Sequence, residues 1–136
     1  MSKNISKKIR GIAADAIIIK NRTILLIKRK NNPFKNYYAL PGGFVGYNEI
    51  CEKGCIREVF EETGLKVNTK KLIGVYSNPK RDPREHTISI CFECVVKSGE
   101  LKASDDAICA EWVSLNKIPQ KMAFDHKKMI NDFKTL

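Results

Sequence analysis

One stretch of the chain, GGFVGYNEICEKGCIREVFEETGL at residues 42–65, holds five of its 15 acidic residues. Its ends carry helix signals. Asn48 can cap free backbone N–H groups, and Glu49 and Glu52 suit the positive end of a helix dipole. Gly64 stands where a helix takes a left-handed final residue. The stretch therefore predicts a helix that concentrates carboxylates in a chain whose net charge is +10.

Projecting the predicted helix at 3.6 residues per turn separates a packing face from an acidic edge. The packing face consists of Ile56, Val59, Phe60 and Thr63. The acidic edge consists of Glu58, Glu61 and Glu62, which lie three and four positions apart. Carboxylates at these spacings are neighbours on a helix surface and repel one another.

The acidic edge needs positive charge that the helix supplies only in part. Arg57 lies four residues before Glu61 and can pair with it, but one guanidinium cannot neutralise three carboxylates. Mg²⁺ could do so, because it takes a few carboxylate oxygens and completes its shell with water and phosphate oxygens. Two interpretations follow: a solvated acidic surface, or a divalent-cation site for phosphate chemistry.

The rest of the sequence predicts strands around this helix and a second one. Residues 13–20 and 23–30 are apolar, β-branched runs joined by Asn21 and Arg22, as in a hairpin. Further strands are predicted at residues 37–40, 70–78, 86–96 and 108–114, with a loop at residues 80–85. The terminal helix at residues 125–133 turns Met129, Ile130 and Phe133 inward. This order predicts a layered α/β domain.

Length and composition fit one domain. A chain of 136 residues with 43% hydrophobic and 29% charged residues can bury a single core. We expect residues 11–136 to form it and residues 1–10 to be a basic N-terminal segment. That segment lacks the apolar region and cleavage site of a signal peptide, and no run approaches the roughly 18 apolar residues of a membrane span. A cytoplasmic protein without membrane contact is therefore predicted.

Cysteine usage and charge narrow the partners. Five cysteines, an odd count in a chain of this size, favour reduced thiols. Cys91 and Cys94 are three apart on a predicted strand, so they should point to opposite faces rather than share a zinc ion. The basic residues are spread over the chain without a nucleic-acid-binding motif, so nucleic acid is not the expected partner. The charge does favour small phosphorylated anions.

The spacing of the acidic helix resembles the Nudix box, G-x5-E-x7-R-E-U-x-E-E-x-G-U, where U is aliphatic. Every fixed position is filled, in the order Gly43, Glu49, Arg57, Glu58, Val59, Glu61, Glu62, Gly64 and Leu65. The likeness continues in LLIKR before the box and in EWVSLNKIP and FDH after it. It therefore covers nearly the whole chain.

The resemblance implies a Nudix fold, which is an α/β/α sandwich around a mixed β-sheet. It also implies a Mg²⁺- or Mn²⁺-dependent hydrolase that cleaves a nucleoside diphosphate linked to another moiety. The metal ligands it implies are Glu58, Glu61, Glu62 and the Gly42 carbonyl, with Asp106 preferred as an additional acid. The catalytic set it implies is Arg57, Glu58 and Glu61. Glu49, Gly43 and Gly64 support the site, and Glu61, Asp105 and Asp106 remain candidates for the general base.

Substrate choice must come from outside the box. The segment YSNPKRDPREH, with Pro79 fourteen residues past Leu65, resembles the ADP-ribose pyrophosphatase branch. That resemblance implies hydrolysis of ADP-ribose to AMP and ribose 5-phosphate. Arginines of this segment could clamp a diphosphate, and aromatic rings could stack on adenine. The predicted substrate-binding residues are Arg29, Tyr38, Phe44, Arg81 and Arg84; a solvated basic loop and core aromatics are the alternatives.

Two positions depart from the pattern PGGFVE followed by a glycine before the box glutamate, because Gly46 and Asn48 stand there. The missing carboxylate keeps other hypotheses open. The first is a MutT-like, NTP-cleansing pyrophosphohydrolase or a hydrolase of another nucleoside diphosphate sugar. A 5′-end RNA pyrophosphohydrolase and, less favoured, a non-catalytic nucleotide sensor follow. Since many relatives pair as dimers, we expect a homodimer that binds a small phosphorylated nucleotide.

Overall fold

The computed structural model describes residues 9–104 and 106–136. Their strands are β1 (Ile9–Lys20), β2 (Thr23–Arg29), β3 (Tyr38–Ala39), β4 (Gly42–Phe44), β5 (Leu65–Tyr76), β6 (His86–Gly99) and β7 (Ala107–Ser114). Their helices are α1 (Cys51–Thr63), between β4 and β5, and α2 (His126–Lys134), which follows β7. Each strand and helix expected from the sequence is present, with shifted ends.

Strands β1 and β2 form the predicted hairpin. Asn21 and Arg22 connect them with φ angles of 50° and 62°, the left-handed conformation that two-residue hairpin turns require. Strand β1 begins at Ile9 rather than at residue 13, so Ile9 and Arg10 of the predicted N-terminal segment belong to the sheet. The first eight residues of that segment lie outside the described residues.

The sheet is mixed, with β1 at its centre. Strand order is β3-β2-β1-β6-β5; β1 pairs parallel with β6, and the other pairings are antiparallel. Strand β4 also pairs with β1, and β7 with β2. The β1–β4 register sets Asp15 opposite Gly42 and Ala14 opposite Gly43. This pairing brings the glycine segment before α1 onto the middle of the central strand.

The two helices cover opposite faces of the sheet. Ala14, Ala16 and Ile18 of β1 pack with Cys55 and Val59 of α1. The intervening Ile17 packs with Met129 and Ile130 of α2, as the two-residue period of a strand requires. The α/β/α sandwich is thereby confirmed.

The cysteines of β6 follow the same alternation. Cys94 packs on the α1 side of the sheet and Cys91 on the α2 side, as predicted. All five cysteines are free thiols in the structure.

Helix α1 differs from its prediction at its start. The helix begins at Cys51 after Ile50, and no side chain caps it. Asn48 has a φ of 65°, a left-handed conformation that asparagine tolerates but that an N-cap residue does not adopt. Glu49 consequently precedes the helix instead of lying in its first turn. The prediction of Asn48 as the cap was wrong.

The packing face of α1 is also rotated from the predicted one. Its buried residues are Gly54, Cys55, Val59 and Thr63. Phe60, predicted to face inward, is 47% exposed, and Lys66 Nζ lies 5.9 Å from its ring centroid. The small side chains at 54 and 55 let the helix approach the sheet along their side, which leaves Phe60 on the flank.

Across the described residues, no helix has the length and apolar character needed to cross a membrane.

Candidate active site

Arg57 donates hydrogen bonds to three acidic side chains and to one backbone carbonyl. Its Nε and Nη2 donate to the two carboxylate oxygens of Glu49 at 2.8 and 2.9 Å. Its Nη1 donates to Glu58 at 2.9 Å and to Glu61 at 3.1 Å, and Nη2 also reaches the Phe44 carbonyl at 3.0 Å. The bond from Arg57, followed by the one from the Gly46 N–H, lowers the pKa of Glu49 to about 2. Arg57 therefore fixes the loop before α1 against the helix.

Glu62 is the carboxylate of the acidic edge that Arg57 does not reach. Its Oε1 accepts the Gly42 N–H at 2.9 Å. Burial, with the nearby charges of Asp15 and Glu58, raises the pKa of Glu62 to about 8 despite that hydrogen bond. A carboxyl group held in this way lacks a compensating cation.

Glycines let the strand segment and the helix approach each other. A methyl group on Gly43 would overlap the carboxylate of Glu58, and one on Gly42 would overlap the Ala14 carbonyl. Burial raises the pKa of Glu58, against the opposing effect of Arg57. At the end of α1, Gly64 has a φ of 78°, and its N–H closes the helix on Phe60 O at 2.9 Å. Gly43 and Gly64 thus occupy positions where other residues would disturb the acidic edge.

The chemistry of this donor set fits a divalent cation. Glu58, Glu61 and Glu62 offer only oxygen ligands. Arg57 bonds Glu58 and Glu61 but not Glu62, whose only nearby positive charge is that of Arg29. In the described part of the chain, no group of three Asp, Glu, His or Cys side chains is close enough together to hold a metal ion. In this arrangement Arg57 holds Glu58 and Glu61.

A cavity of about 170 Å³ opens beside Glu62. Asp15 and Glu62 lie on its acidic side, and Arg29, Arg84, Phe44 and Phe124 are among its other lining residues. The cavity is smaller than the roughly 300 Å³ at which pockets for drug-sized ligands begin. It can therefore accept one portion of a nucleotide derivative rather than the whole molecule.

The two arginines predicted to clamp a diphosphate are both held by neighbouring carboxylates. Arg81 is buried, and its Nε and Nη2 lie 2.9 Å from Asp125 Oδ1. Arg84 donates to both oxygens of Asp82, at 3.0 and 2.7 Å. Both arginines line the cavity, but their charges are largely neutralised within the loop.

Of the other predicted substrate-binding residues, two line the cavity and one does not. Phe44 lines the cavity and is 38% exposed, whereas Tyr38 does not line it and donates its hydroxyl to Glu111 at 2.8 Å. That hydrogen bond is the main reason why the pKa of Tyr38 rises to about 12. Arg29 lines the cavity and donates Nε to the Pro33 carbonyl at 2.8 Å, but no carboxylate among the described residues pairs with it. Burial and the nearby Arg84 lower the pKa of Arg29.

Phe124 is a site residue that the sequence did not single out beyond its place in FDH. The guanidinium carbons of Arg29, Arg81 and Arg84 lie 5.1, 5.7 and 5.8 Å from its ring centroid. The ring thus gathers three arginines by cation–π contact. Its φ of 53° reflects the tight turn before α2. No local sequence signal identifies such a cluster, because its members come from three separate segments.

Asp15 and His126 were also missed as site residues. Asp15 stands alone as an acid in the apolar run AADAIII, which is the one signal the sequence offers. His126 Nδ1 accepts the Leu40 N–H at 3.0 Å, so its Nε2 carries the proton and faces Asp15 Oδ2 at 3.5 Å. Burial opposes ionisation of Asp15, but His126, Ser89 and Arg81 together lower its pKa. The ionised Asp15 carboxylate is thus a buried negative charge in the wall of the cavity.

Asp106 does not line the cavity, although its charge reaches Arg29. It is exposed, and its backbone N–H bonds to Ser104 Oγ at 3.3 Å. The segment before it is tied to the end of α1 by the N–H groups of Lys102 and Ser104, which donate to Thr63 O and Glu62 O. Asp105 lies outside the described residues.

Comparison with known proteins agrees with this architecture. The family model described as the NUDIX domain matches residues 9–133. The ADP-ribose pyrophosphatase of Methanocaldococcus jannaschii is 58% identical over 123 residues, which are 90% of this chain and 72% of that protein.

Two solved structures extend the comparison. A Francisella tularensis bifunctional NMN adenylyltransferase/ADP ribose pyrophosphatase, complexed with AMP and a Mn ion, superposes with a TM-score of 0.82 at 31% identity. The match covers 92% of this chain and 41% of that one, so the chain spans about two fifths of the bifunctional protein. A MutT NUDIX hydrolase from Burkholderia pseudomallei superposes with a TM-score of 0.79 at 27% identity, and the match covers 90% of this chain and 96% of that one. The chain belongs to the Nudix family, a class of hydrolases that depend on divalent metal ions.

Proposed function

We propose that the protein is an ADP-ribose pyrophosphatase that hydrolyses ADP-ribose to AMP and ribose 5-phosphate with Mg²⁺. The observation that supports this most is the juxtaposition of an acidic edge short of positive charge with a small, arginine-lined cavity. The 58% identity to an ADP-ribose pyrophosphatase supports the choice of substrate. A diphosphate with a compact second moiety suits both halves of the site.

In this proposal the acidic edge and the Gly42 carbonyl hold the cation, and Arg57 with Glu49 keeps the edge in register. When bound, the cation supplies charge neutralisation of the diphosphate and a more acidic water. The Nη1 and Nη2 atoms of Arg29 have no hydrogen-bond partner in the described chain. In this proposal their N–H groups donate hydrogen bonds to phosphate oxygens. Arg84 adds charge at the opposite wall. Phe44 also lines the cavity, and the face of its ring that Arg10 does not cover is available for adenine.

The general base is assigned to Glu61 within this proposal. Its side chain is 55% exposed, against 22% for Glu58, so it can pass a proton from the attacking water to solvent. Its contact with Arg57 holds it along the edge. Asp106 is the competing candidate. Turnover that survives Asp106→Asn but not Glu61→Gln supports the assignment, and the opposite pattern moves the base to the loop before β7.

The test of the main proposal is Mg²⁺-dependent product formation from ADP-ribose and, separately, from dGTP, with nucleotide products resolved by chromatography. Glu61→Gln and Glu62→Gln serve as site variants. Glu52→Gln is the matched control, since Glu52 is an exposed acid of the same helix outside the acidic edge. AMP from ADP-ribose, retained in the control and lost in the site variants, is the expected result. Absence of AMP with active dGTP hydrolysis contradicts the ADP-ribose assignment.

A second candidate function is a MutT-like, NTP-cleansing activity. Gly46 in place of an acid and the similarity to a MutT NUDIX hydrolase favour it. It predicts a monophosphate and pyrophosphate from dGTP. A 5′-end RNA pyrophosphohydrolase is favoured only by the net charge of +10 and predicts strongly salt-dependent RNA binding. A non-catalytic sensor predicts ligand binding without turnover.

We further infer that the catalytic domain, predicted at residues 11–136, includes all of β1 from Ile9, and that it works in the cytoplasm as a homodimer. The five free thiols support a reducing compartment. The exposed Leu72 and Val75 on the edge strand β5 are apolar surface that a second copy could cover. Light scattering after size-exclusion chromatography tests the dimer, and a monomer at all concentrations rejects it.

A further inference from the structure

Asp15 presents a carboxylate oxygen to the cavity that no protein group satisfies. Its Oδ2 accepts the Ser89 hydroxyl and faces His126 Nε2. Its Oδ1 has no hydrogen-bond partner within residues 9–104 and 106–136 and lies against Gly42, where a methyl group would come within 2.5 Å of it. In the described chain, no side-chain oxygen or nitrogen is both fully buried and unpartnered. Oδ1 therefore keeps access to the cavity that Asp15 lines.

The free polar atoms around the cavity define what it can bind. Asp15 Oδ1 is the free acceptor on one side, since Glu62 uses its Oε1 for the Gly42 N–H and belongs to the acidic edge that holds the cation. Arg29 and Arg84 retain guanidinium nitrogens as donors on the other side. A ligand must therefore donate to Asp15 and accept from the arginines. A hydroxylated ring that carries a phosphate does both.

Adenine fits the same cavity less well. Its ring nitrogens are acceptors, which repel carboxylate oxygens, and it has a single amino group to donate. The Phe124 ring has three guanidinium groups within 5.8 Å, so its surface in the cavity is already used. Phe44 also lines the cavity, and the face of its ring that Arg10 does not cover, at 5.0 Å from the centroid, remains for base stacking.

We propose that the cavity is a sugar phosphate subsite, in which Asp15 Oδ1 accepts a hydroxyl of the ribose 5-phosphate half and the adenosine half lies outside, toward Phe44. The inference rests on the proposed hydrolysis of ADP-ribose and assigns the two halves of that substrate to separate places. Asp15 is in this view a specificity-determining residue, distinct from the carboxylates that hold the cation.

The hydrogen bonds below Asp15 make one substitution especially informative. In Asp15→Asn, His126 Nε2–H needs an acceptor, so the amide oxygen should take the place of Oδ2 and the amide nitrogen the place of Oδ1. The variant then offers a donor where the wild type offers an acceptor, with the same size and the same support. Ser89→Ala is the matched control, because it removes a bond to Oδ2 and leaves Oδ1 unchanged.

The experiment titrates ribose 5-phosphate, AMP and inorganic phosphate separately into the full chain without metal, followed by NMR or calorimetry. We expect Asp15→Asn to weaken the binding of ribose 5-phosphate by about tenfold or more, because a hydrogen bond to a charged group is lost. Binding of AMP and phosphate should not change, and Ser89→Ala should bind all three as the wild type does. Tetrahydrofurfuryl phosphate, which has the ring and the phosphate but no hydroxyls, should bind the wild type about tenfold more weakly than ribose 5-phosphate does. This comparison needs no variant to fold.

Most of the other outcomes overturn the subsite, and the last one separates it from the proposed reaction. If Asp15→Asn binds AMP more weakly but binds ribose 5-phosphate as the wild type does, the adenosine half occupies the cavity. Equal weakening of all three ligands, or the same loss in Ser89→Ala, makes Asp15 a structural residue. Turnover of ADP-ribose with binding insensitive to Asp15 rejects the subsite alone. Binding that depends on Asp15 without ADP-ribose turnover supports the subsite and rejects the proposed reaction.

Discussion

The acidic edge of α1 and the arginine loop at residues 80–85 both combine arginines with carboxylates, but their charge balance differs. At the edge, Arg57 pairs with Glu49, Glu58 and Glu61, whereas Glu62 forms no salt bridge within the described chain and feels only the nearby charge of Arg29. In the loop, each arginine has its own acid. Arg81 pairs with Asp125 and Arg84 with Asp82. One region has acid in excess, and the other is nearly neutral.

This difference separates binding from support. A cluster with unmatched charge costs stability unless a ligand of opposite sign completes it, whereas a matched cluster is complete in the protein itself. The edge therefore has the character of a cation site, and the loop that of a structural clamp on Phe124. Arg29, which lacks a carboxylate partner among the described residues, resembles the edge in being unmatched, with the opposite sign.

The largest effect should come from the unmatched acid itself. Glu62→Gln keeps an acceptor for the Gly42 N–H but removes the charge that a divalent cation needs. We expect kcat to fall by about 10³-fold, since the cation contributes several kcal/mol to the reaction. Glu52→Gln, with the same change in charge, should retain activity. Steady-state turnover with saturating Mg²⁺ measures both, and equal activities would falsify the division between edge and loop.

Breaking the matched loop should instead cost stability. Asp125→Asn removes the charge that faces Arg81, whose side chain is 3% exposed. An unpaired buried guanidinium should lower the free energy of unfolding by about 3 kcal/mol. Urea titration measures this, with the exposed Glu85→Gln as a control expected to change it by less than about 0.5 kcal/mol. Unchanged stability with a strongly raised KM would mean that Arg81 is a substrate clamp after all.

The raised pKa of Glu62 predicts a pH dependence of cation binding. Burial holds its pKa at about 8 instead of the ordinary 4.5, so below pH 8 the group is protonated and must lose a proton to bind a cation. Affinity for Mg²⁺ should therefore fall about tenfold for each pH unit below that value, or about 100-fold by pH 6.

The metal-free protein should show the opposite trend in stability. A carboxyl whose folded pKa is raised favours the folded state in its neutral form, so the free energy of unfolding should decrease as pH rises from about 4.5 to about 8. Calorimetry and urea titration with a chelator measure the two trends. Equal Mg²⁺ affinity at about pH 6 and pH 8 contradicts the account.

The periodic features of the fold were predictable because they repeat locally. The alternation in β1 and β6 put Cys91 and Cys94 on opposite faces, and Asn21 and Arg22 marked the hairpin turn. The start of α1 was not predictable from its cap signal. Asn48 adopts a left-handed conformation, and the adjacent Glu49 pairs with Arg57, a contact that spans eight residues and leaves no local signal.

The site divides in the same way. Glu58, Glu61 and Glu62 share one helix, so their spacing alone placed them together. The pairing of Arg81 with Asp125 could not be predicted, because it joins residues 44 positions apart that meet only when α2 packs on the sheet. The same holds for Asp15, whose partners Ser89 and His126 come from β6 and α2.

The smallest effect we predict tests the geometry of the edge rather than its charge. Gly43→Ala places a methyl group against Glu58, with the Cγ atom at 3.0 Å and the carboxylate closer still. The flexible end of Glu58 can move aside, so the fold should be retained and kcat should fall by about tenfold from misplacement of one carboxylate. Gly46→Ala is the control, since its nearest neighbour, Glu49 Oε1, lies at 3.3 Å. If Gly43→Ala keeps the wild-type kcat, Glu58 is not held to a fixed position by the glycine segment, and the acidic edge acts through its total charge alone.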